Sequence, residues 1–342
     1  MIIGKNPHGG NPKVELDFSV NLNPFGPPEE CEKIWANLWQ GLAYYPDPYC
    51  TDLTQAVKQK EQTEKALLFG NGAAELIYAF AASLCGKKVL VFEPTFSEYA
   101  EAAKAYDCEI RRVLCSNEFL WENPWTAADT GVDAIFLCSP NNPTGRLLPK
   151  EALFRLAEAC EQKGIFLFLD FCFLDFVPNA PYRAKDFDAF PHVVCLSAFT
   201  KNYALAGARL GYLICEKTVA ASLNAFLQAW NVSVVAQKLG VCALKDAEYL
   251  PKTVEFVRAE RERVQTELKK LGVKTFPSDA NFFLFRARTD LNEQLQAYGM
   301  CVRDCSNFYG LADADGMRYF RMGLKNTTEN QRLLGALEKI LK

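Results

Sequence analysis

The chain has 342 residues, 38 Lys and Arg against 41 Asp and Glu for a net charge of −3, and 49% hydrophobic residues, enough for a large core divided between two lobes. Its basic residues are scattered, which excludes a nucleic-acid footprint, and its longest apolar stretch, 165–177, contains Asp170 and Asp175 and is too short to span a bilayer. Its 13 cysteines show no C-x-x-C spacing, only two histidines accompany them, and Cys108, Cys138, Cys172, Cys195 and Cys215 sit in or beside apolar runs, so no metal and a reduced, cytoplasmic protein are expected.

Residues 1–28, rich in Gly, Pro and Asn, read as an extended arm, and Met1–Pro7 breaks before any apolar leader segment could form. Ile34, Trp35, Leu38 and Trp39 fall at helical spacing within Glu30–Gln40, a face for core or interface packing. From about residue 50 to 215 strands and helices alternate. Strand-like runs are Lys88–Phe92, Glu109–Val113, Asp133–Cys138, Ile165–Asp170, Val193–Leu196 and Leu210–Cys215; helices such as Ala74–Leu84, Ser97–Tyr106 and Lys150–Gln162 separate several of them. This is the pattern of a mainly parallel sheet covered on both faces. Glu216–Leu244 and Glu248–Leu271 then read as long helices. Asn281–Arg286, Met300–Arg303 and Arg318–Gly323 read as short strands, with a final helix from Thr328. The expected division is an arm over 1–28, a large domain over 29–244 and a smaller α+β domain over 245–342.

Three segments carry chemistry. Asn142-Pro143-Thr144-Gly145 follows one apolar β-type run, Asp170 closes a second, and Lys201 follows a third, with Arg209 among glycines just beyond it. Ligands of open α/β sheets bind outside the carboxyl ends of strands, which is where these residues fall. A lysine that forms an imine and a cation that holds a phosphate are thereby supplied by one segment. Singly, each has an ordinary reading: a turn, a helix cap, two surface charges. In this order they point to one site.

Together Lys201, Asp170, Asn142-Pro143-Thr144-Gly145 and Arg209 resemble the fold-type-I pyridoxal-phosphate enzymes, the aspartate aminotransferase superfamily, over almost the whole chain. The resemblance implies an α/β fold with a mainly parallel seven-stranded sheet in the large domain, a smaller C-terminal domain and an N-terminal arm. It implies that Lys201 holds the aldehyde of pyridoxal 5'-phosphate and carries the proton, that Asp170 pairs with the pyridine nitrogen, and that Asn142 bonds the phenolic oxygen. Phe96 would stack on the ring. Gly72, Ala73, Ala74, Thr200 and Arg209 would hold the cofactor phosphate, joined by Tyr45 from the neighbouring subunit of a homodimer with shared active sites. Arg321 would grip a substrate α-carboxylate and Arg303 a distal phosphate, with His8, Asn23 and Asn307 assisting. Three departures stand out: Ala198 where a hydroxyl is usual, with Ser197 one place away; Phe171-Cys172 where Glu-Ala is common; and Phe173 where aminotransferases usually have tyrosine.

Finer segments are similar to the decarboxylases of L-threonine O-3-phosphate and next to histidinol-phosphate aminotransferases. They include His8-Gly9-Gly10-Asn11, Glu98-Tyr99, Cys108-Glu109-Ile110-Arg111-Arg112 and Ser306-Asn307-Phe308-Tyr309-Gly310-Leu311. The expected substrate is a small phosphorylated amino acid. Decarboxylation to (R)-1-amino-2-propanol O-2-phosphate is preferred on Phe173, the arm and Asn307–Leu311; transamination is the alternative. The intact Lys201, Asp170, Asn142 and Arg209 argue against a catalytically silent homologue.

Overall fold

The computed structural model describes residues 8–116 and 118–341. Along the chain, β1 is Leu16–Phe18, followed by β2 (Ala66–Asn71), β3 (Lys88–Glu93), β4 (Glu109–Leu114), β5 (Ala134–Cys138), β6 (Phe166–Asp170), β7 (Val193–Ala198) and β8 (Leu210–Cys215). Strands β2 to β8 form a seven-stranded sheet in the order β2-β8-β7-β6-β5-β3-β4. Only β8 runs against its neighbours. The interior strands are unbroken apolar runs, such as Ala-Ile-Phe-Leu-Cys in β5, because helices cover both faces. The edge strand β4, Glu-Ile-Arg-Arg-Val-Leu, carries charge and is only partly covered, as an unpaired edge requires.

A second, five-stranded sheet contains β9 (Lys274–Thr275), β10 (Phe282–Arg288), β11 (Met300–Asp304) and β12 (Met317–Gly323), in the order β1-β11-β12-β10-β9. Its first member comes from the arm. Leu16 pairs with Met300 in a parallel ladder, and Phe18 at its end is fully buried. The segment read as an extended arm is therefore stitched into the sheet formed by the end of the chain.

Register places the site. Cys138 lies opposite Asp170, and Asp170 opposite Leu196, so β5 and β6 end level while β7 runs on past them to Ala198. Asn71 lies opposite Leu210, which sets the start of helix Gly72–Ser83 beside Arg209.

Two elements differ from the sequence expectation. The Ala66–Asn71 strand is hidden in a sequence that ends in a Gly-Asn-Gly turn. The pattern over Glu216–Leu244 splits into helices Lys217–Asn224 and Val234–Ala243. The split has a local cause: the Ser233 hydroxyl accepts the Ala236 N–H at 3.1 Å and starts a new helix. Among the described residues no helix is long and apolar enough to cross a membrane. None of the 13 cysteines is in a disulfide.

Gly211 is the tightest junction between sheet and site. A Cβ there would lie 2.8 Å from the Ala73 nitrogen and 2.9 Å from the Gly72 carbonyl carbon, backbone atoms that cannot swing aside. Gly211→Ala should lower stability by about 1–3 kcal/mol, read as a lower urea midpoint at an unchanged slope. An unchanged midpoint would refute this packing.

Candidate active site

Beyond the carboxyl ends of β3, β5, β6 and β7 lies a cavity of about 230 Å³ that also takes in residues from the arm and the second sheet. Asp170, the last residue of β6, is buried in its wall. Its Oδ2 accepts the Tyr99 hydroxyl at 2.6 Å and its Oδ1 accepts the Cys172 N–H at 2.8 Å. Burial pushes the Asp170 carboxyl up from the ordinary carboxylate range, against the pull of these bonds. A neighbouring cation would hold it ionised.

Lys201 sits in the single helical turn Phe199–Asn202 that follows β7, and it lines the same cavity. Its amine is pushed down to about 8, first by burial and then by the Arg321 guanidinium, with Arg209 adding to the effect. The turn is clamped from outside. The Asn23 backbone N–H donates to the Lys201 carbonyl at 3.0 Å, and its side-chain nitrogen donates to the Asn202 carbonyl at 2.8 Å and to Thr253 Oγ1 at 2.9 Å. Asn202 in turn donates to Asp175 Oδ2 at 2.8 Å, and Asp175 pairs with Lys60 at 3.0 Å.

Asn142 reaches the cavity because its neighbour is fixed. The Asn141 side chain donates to the Pro94 carbonyl at 2.8 Å and to Thr144 Oγ1 at 3.0 Å, and accepts from Thr95 Oγ1 at 2.7 Å. This lashes the loop after β5 to the loop after β3, which carries Phe96. Asn142 Oδ1 accepts from Arg321, leaving its amide nitrogen for a ligand. Arg321 also donates to the Ser19 carbonyl at 2.6 Å, while its Nε is buried without a partner. Burial brings this guanidinium down to about 10.

At the opposite end Ala73, Ala74, Thr200 and Arg209 line the cavity. Gly72 has φ +80°, and a Cβ on it would collide with the Arg209 guanidinium. Arg209 is itself left-handed at φ +57°, a strained conformation for arginine that aims its side chain at the helix start. First-turn N–H groups and a guanidinium together form an anion cradle.

On the substrate side Arg303 of β11 lies opposite Arg321 of β12, and both face the cavity. Arg303 donates to Asn307 Oδ1 at 2.8 Å. His8 lines the cavity, its Nε2 lies 2.8 Å from Glu98 Oε1, and its ring is 5.6 Å from that of Phe96. The departures also find places. Ala198 faces the cavity while Ser197 faces the other side of the sheet, toward Lys60 and Asp175, as strand alternation demands. Phe171 packs away on Tyr182, Cys172 faces the cavity, and Phe173 lines it edge-on to Phe282 at 4.9 Å.

Three of the expected residues lie outside the lining of this cavity. Asn23 does not line the cavity: its side-chain nitrogen donates to Asn202 and Thr253, which places it against the lysine turn. Asn307 is exposed and bonds Arg303, which lines the cavity. Tyr45 is 79% exposed and stacked on Trp230 at 4.5 Å, outside the cavity of its own chain. Conversely, Tyr99, Cys138, Phe308 and the Ser19–Asn21 backbone belong to the cavity without having been assigned a role there. Tyr99 falls one helical turn beyond Phe96, and that spacing is the signal available for it.

The model of the family described as aminotransferase class I and II matches residues 13–337. The threonine-phosphate decarboxylase of Salmonella typhimurium is 32% identical over all of this chain and 98% of its own. Among solved structures, the histidinol-phosphate aminotransferase from Clostridium acetobutylicum superposes with a TM-score of 0.89 at 27% identity, over 95% of this chain and 99% of its own. The L-threonine-O-3-phosphate decarboxylase from Porphyromonas gingivalis gives 0.85 at 26% identity, over the same shares.

Removing the positive charge of Arg321 by Arg321→Met should raise the Lys201 pKa from about 8 toward its ordinary value of 10.5, because a nearby cation disfavours the ammonium form. The pH dependence of Lys201 modification in cofactor-free protein reads this directly, and an unmoved or lowered value would contradict the geometry. The sign carries into stability. Between about pH 8 and 10.5 the unfolded chain keeps a proton the folded chain has lost, so this group makes stability rise with pH across that window.

Proposed function

Because the chain belongs to the aminotransferase class I and II family, we propose that it decarboxylates L-threonine O-3-phosphate to (R)-1-amino-2-propanol O-2-phosphate. It is a pyridoxal-phosphate-dependent enzyme of that family, and the cavity suits the group. A buried carboxylate that accepts from two neutral donors, the Tyr99 hydroxyl and a backbone N–H, suits a protonated ring nitrogen. The space that a Cβ on Gly72 would fill beside Arg209 suits a phosphate. Asp170 would face the ring nitrogen, Phe96 the ring plane, Asn142 the phenolic oxygen, and Gly72–Ala74, Thr200 and Arg209 the phosphate. When bound, the cofactor supplies a sink for the electron pair left as a bond to the substrate Cα breaks.

The residues of the chain then do the rest. Arg321 orients the α-carboxylate, and Arg303 receives the distal phosphate. Carbon dioxide leaves Cα, and Lys201 Nζ delivers the proton that takes its place. An amine near pKa 8 holds and releases that proton close to neutral pH. The observation that carries this reading is the register pair Arg303–Arg321, two guanidinium groups in one cavity for a substrate with two anionic ends. Phe173 supports it, since it has no hydroxyl to offer the cofactor. Transamination of a histidinol-phosphate type is the second reading, favoured by the superposition on the aminotransferase of Clostridium acetobutylicum; the first substrate of that reaction has a single anionic end.

We also read the protein as a cytoplasmic homodimer with residues 29–244 and 245–342 as its two lobes. Trp35, Trp39, Tyr44, Tyr45 and Tyr49 form an exposed aromatic set near one end of the chain, a composition suited to a protein interface. In such a dimer Tyr45 would reach the partner's cofactor phosphate.

Purified enzyme should release carbon dioxide from threonine phosphate without any keto acid. Strict dependence on 2-oxoglutarate would overturn the decarboxylase reading. Lys201→Ala should lose both carbon dioxide release and the absorbance band of the covalently held cofactor. Arg303→Gln should raise KM for the phosphorylated substrate about ten-fold or more, charge-assisted hydrogen bonds being worth about 1.5–3 kcal/mol.

A further inference from the structure

Two motifs distant in sequence, the Arg111-Arg112 pair of β4 and the segment 306–311, meet in space. The Arg112 guanidinium carbon lies 4.8 Å from the centre of the Tyr309 ring. On its other side Arg112 Nε lies 3.6 Å from Glu93 Oε1 at the end of β3, which holds the guanidinium at the sheet edge. The next residue, Gly310, has φ +85°, and a Cβ there would stand 2.7 Å from Leu114 Cδ2 of β4. The left-handed backbone favours glycine here, and it brings the segment against the Leu114 side chain.

The inner half of the same segment faces the opposite way. Phe308 is buried and lines the cavity, and the Arg303 guanidinium lies 5.2 Å from the centre of its ring. Asn307 accepts from Arg303 Nη2 at 2.8 Å. Phe308 and Leu311 also pack with Phe119, from the stretch after β4, and with Phe276 and Leu284 of the second sheet. Four consecutive residues thus divide their work: 307 and 308 hold Arg303, while 309 and 310 hold the edge of the seven-stranded sheet.

Resting on the reading of Arg303 as the residue that receives the substrate's distal anion, we infer that Arg112 and Tyr309 are positioning residues for Arg303. Their contact clasps the segment 306–311 to β4 and so fixes the guanidinium that meets the phosphate. The clasp touches no reacting atom. It acts on how well the phosphorylated end is held, and its weight is that of an exposed cation–π contact, about two- to five-fold in an equilibrium.

The test compares Arg112→Gln, Tyr309→Leu and Tyr309→Phe in the cofactor-loaded enzyme. Two measurements are made: steady-state kinetics with threonine phosphate, and amide hydrogen exchange over 306–311 without substrate. Arg112→Gln and Tyr309→Leu should raise KM about two- to five-fold at unchanged kcat and speed exchange over 306–311 by a similar factor. Tyr309→Phe keeps the ring and should match the wild type in both. Tyr309→Phe behaving like Tyr309→Leu, a fall in kcat at unchanged KM, or unaltered exchange in Arg112→Gln would each overturn the clasp. Should the wild-type enzyme release no carbon dioxide, the substrate reading falls, while exchange still decides for or against the clasp.

Discussion

A carboxylate taken out of water at the end of β6 sets the terms for everything around it. Asp170 receives a phenolic hydroxyl and a backbone N–H, both neutral, and burial raises its carboxyl all the same. Lys201 meets the mirror-image condition at the end of β7, where burial and two guanidinium groups work against its ammonium form. Neither group is at ease by itself. Under the proposed reading, a ring with a protonated nitrogen and an electrophilic carbon would answer both demands at once.

Holding such groups in place takes a scaffold that does not relax around them. The Lys201 turn is gripped by Asn23 from one side and by the Asn202–Asp175–Lys60 series from the other. Asp175 follows Asp170 by one short loop, so the same series ties the end of β6 to the end of β7. Such a buried ion pair contributes little net stability, because desolvation offsets attraction; its value here lies in fixing a geometry. Asn141 has the corresponding task on the far side of the site, joining the loop that carries Asn142 to the loop that carries Phe96.

Much of this was readable from the residues. The apolar runs of β3, β5, β6 and β7 announce strands because burial on both faces demands unbroken hydrophobicity, and Asp170, Asn142 and Lys201 punctuate them where a parallel sheet exposes its carboxyl ends. Strand alternation even sends Ser197 to the far face, as its place beside Ala198 suggests. What stayed hidden depends on contacts between distant residues. Nothing local marks Leu16–Phe18 as a strand, since its partner is Met300–Val302. Asn23 carries a polar side chain next to the site, and only its bonds to Asn202 and Thr253 reveal that it faces away. Tyr99 looks like one more aromatic in a helix until the register of β6 brings Asp170 to its hydroxyl.

The pairing of β1 with β11 has a consequence in time. The arm leaves the ribosome ahead of both sheets, yet its strand has no partner until Met300–Asp304 has been made, and Arg321, which bonds the Ser19 carbonyl, comes later still. Once β8 has been made the strands of the central sheet are all present, with the aspartate that ends one of them and the lysine that follows another, while the wall that includes Arg303 and Arg321 is still missing. The cavity is therefore closed by the last of its walls that synthesis supplies. A product cut short before residue 300 would carry Asp170, Lys201 and Arg209 at an open end of the central sheet, with the second sheet lacking β11 and β12.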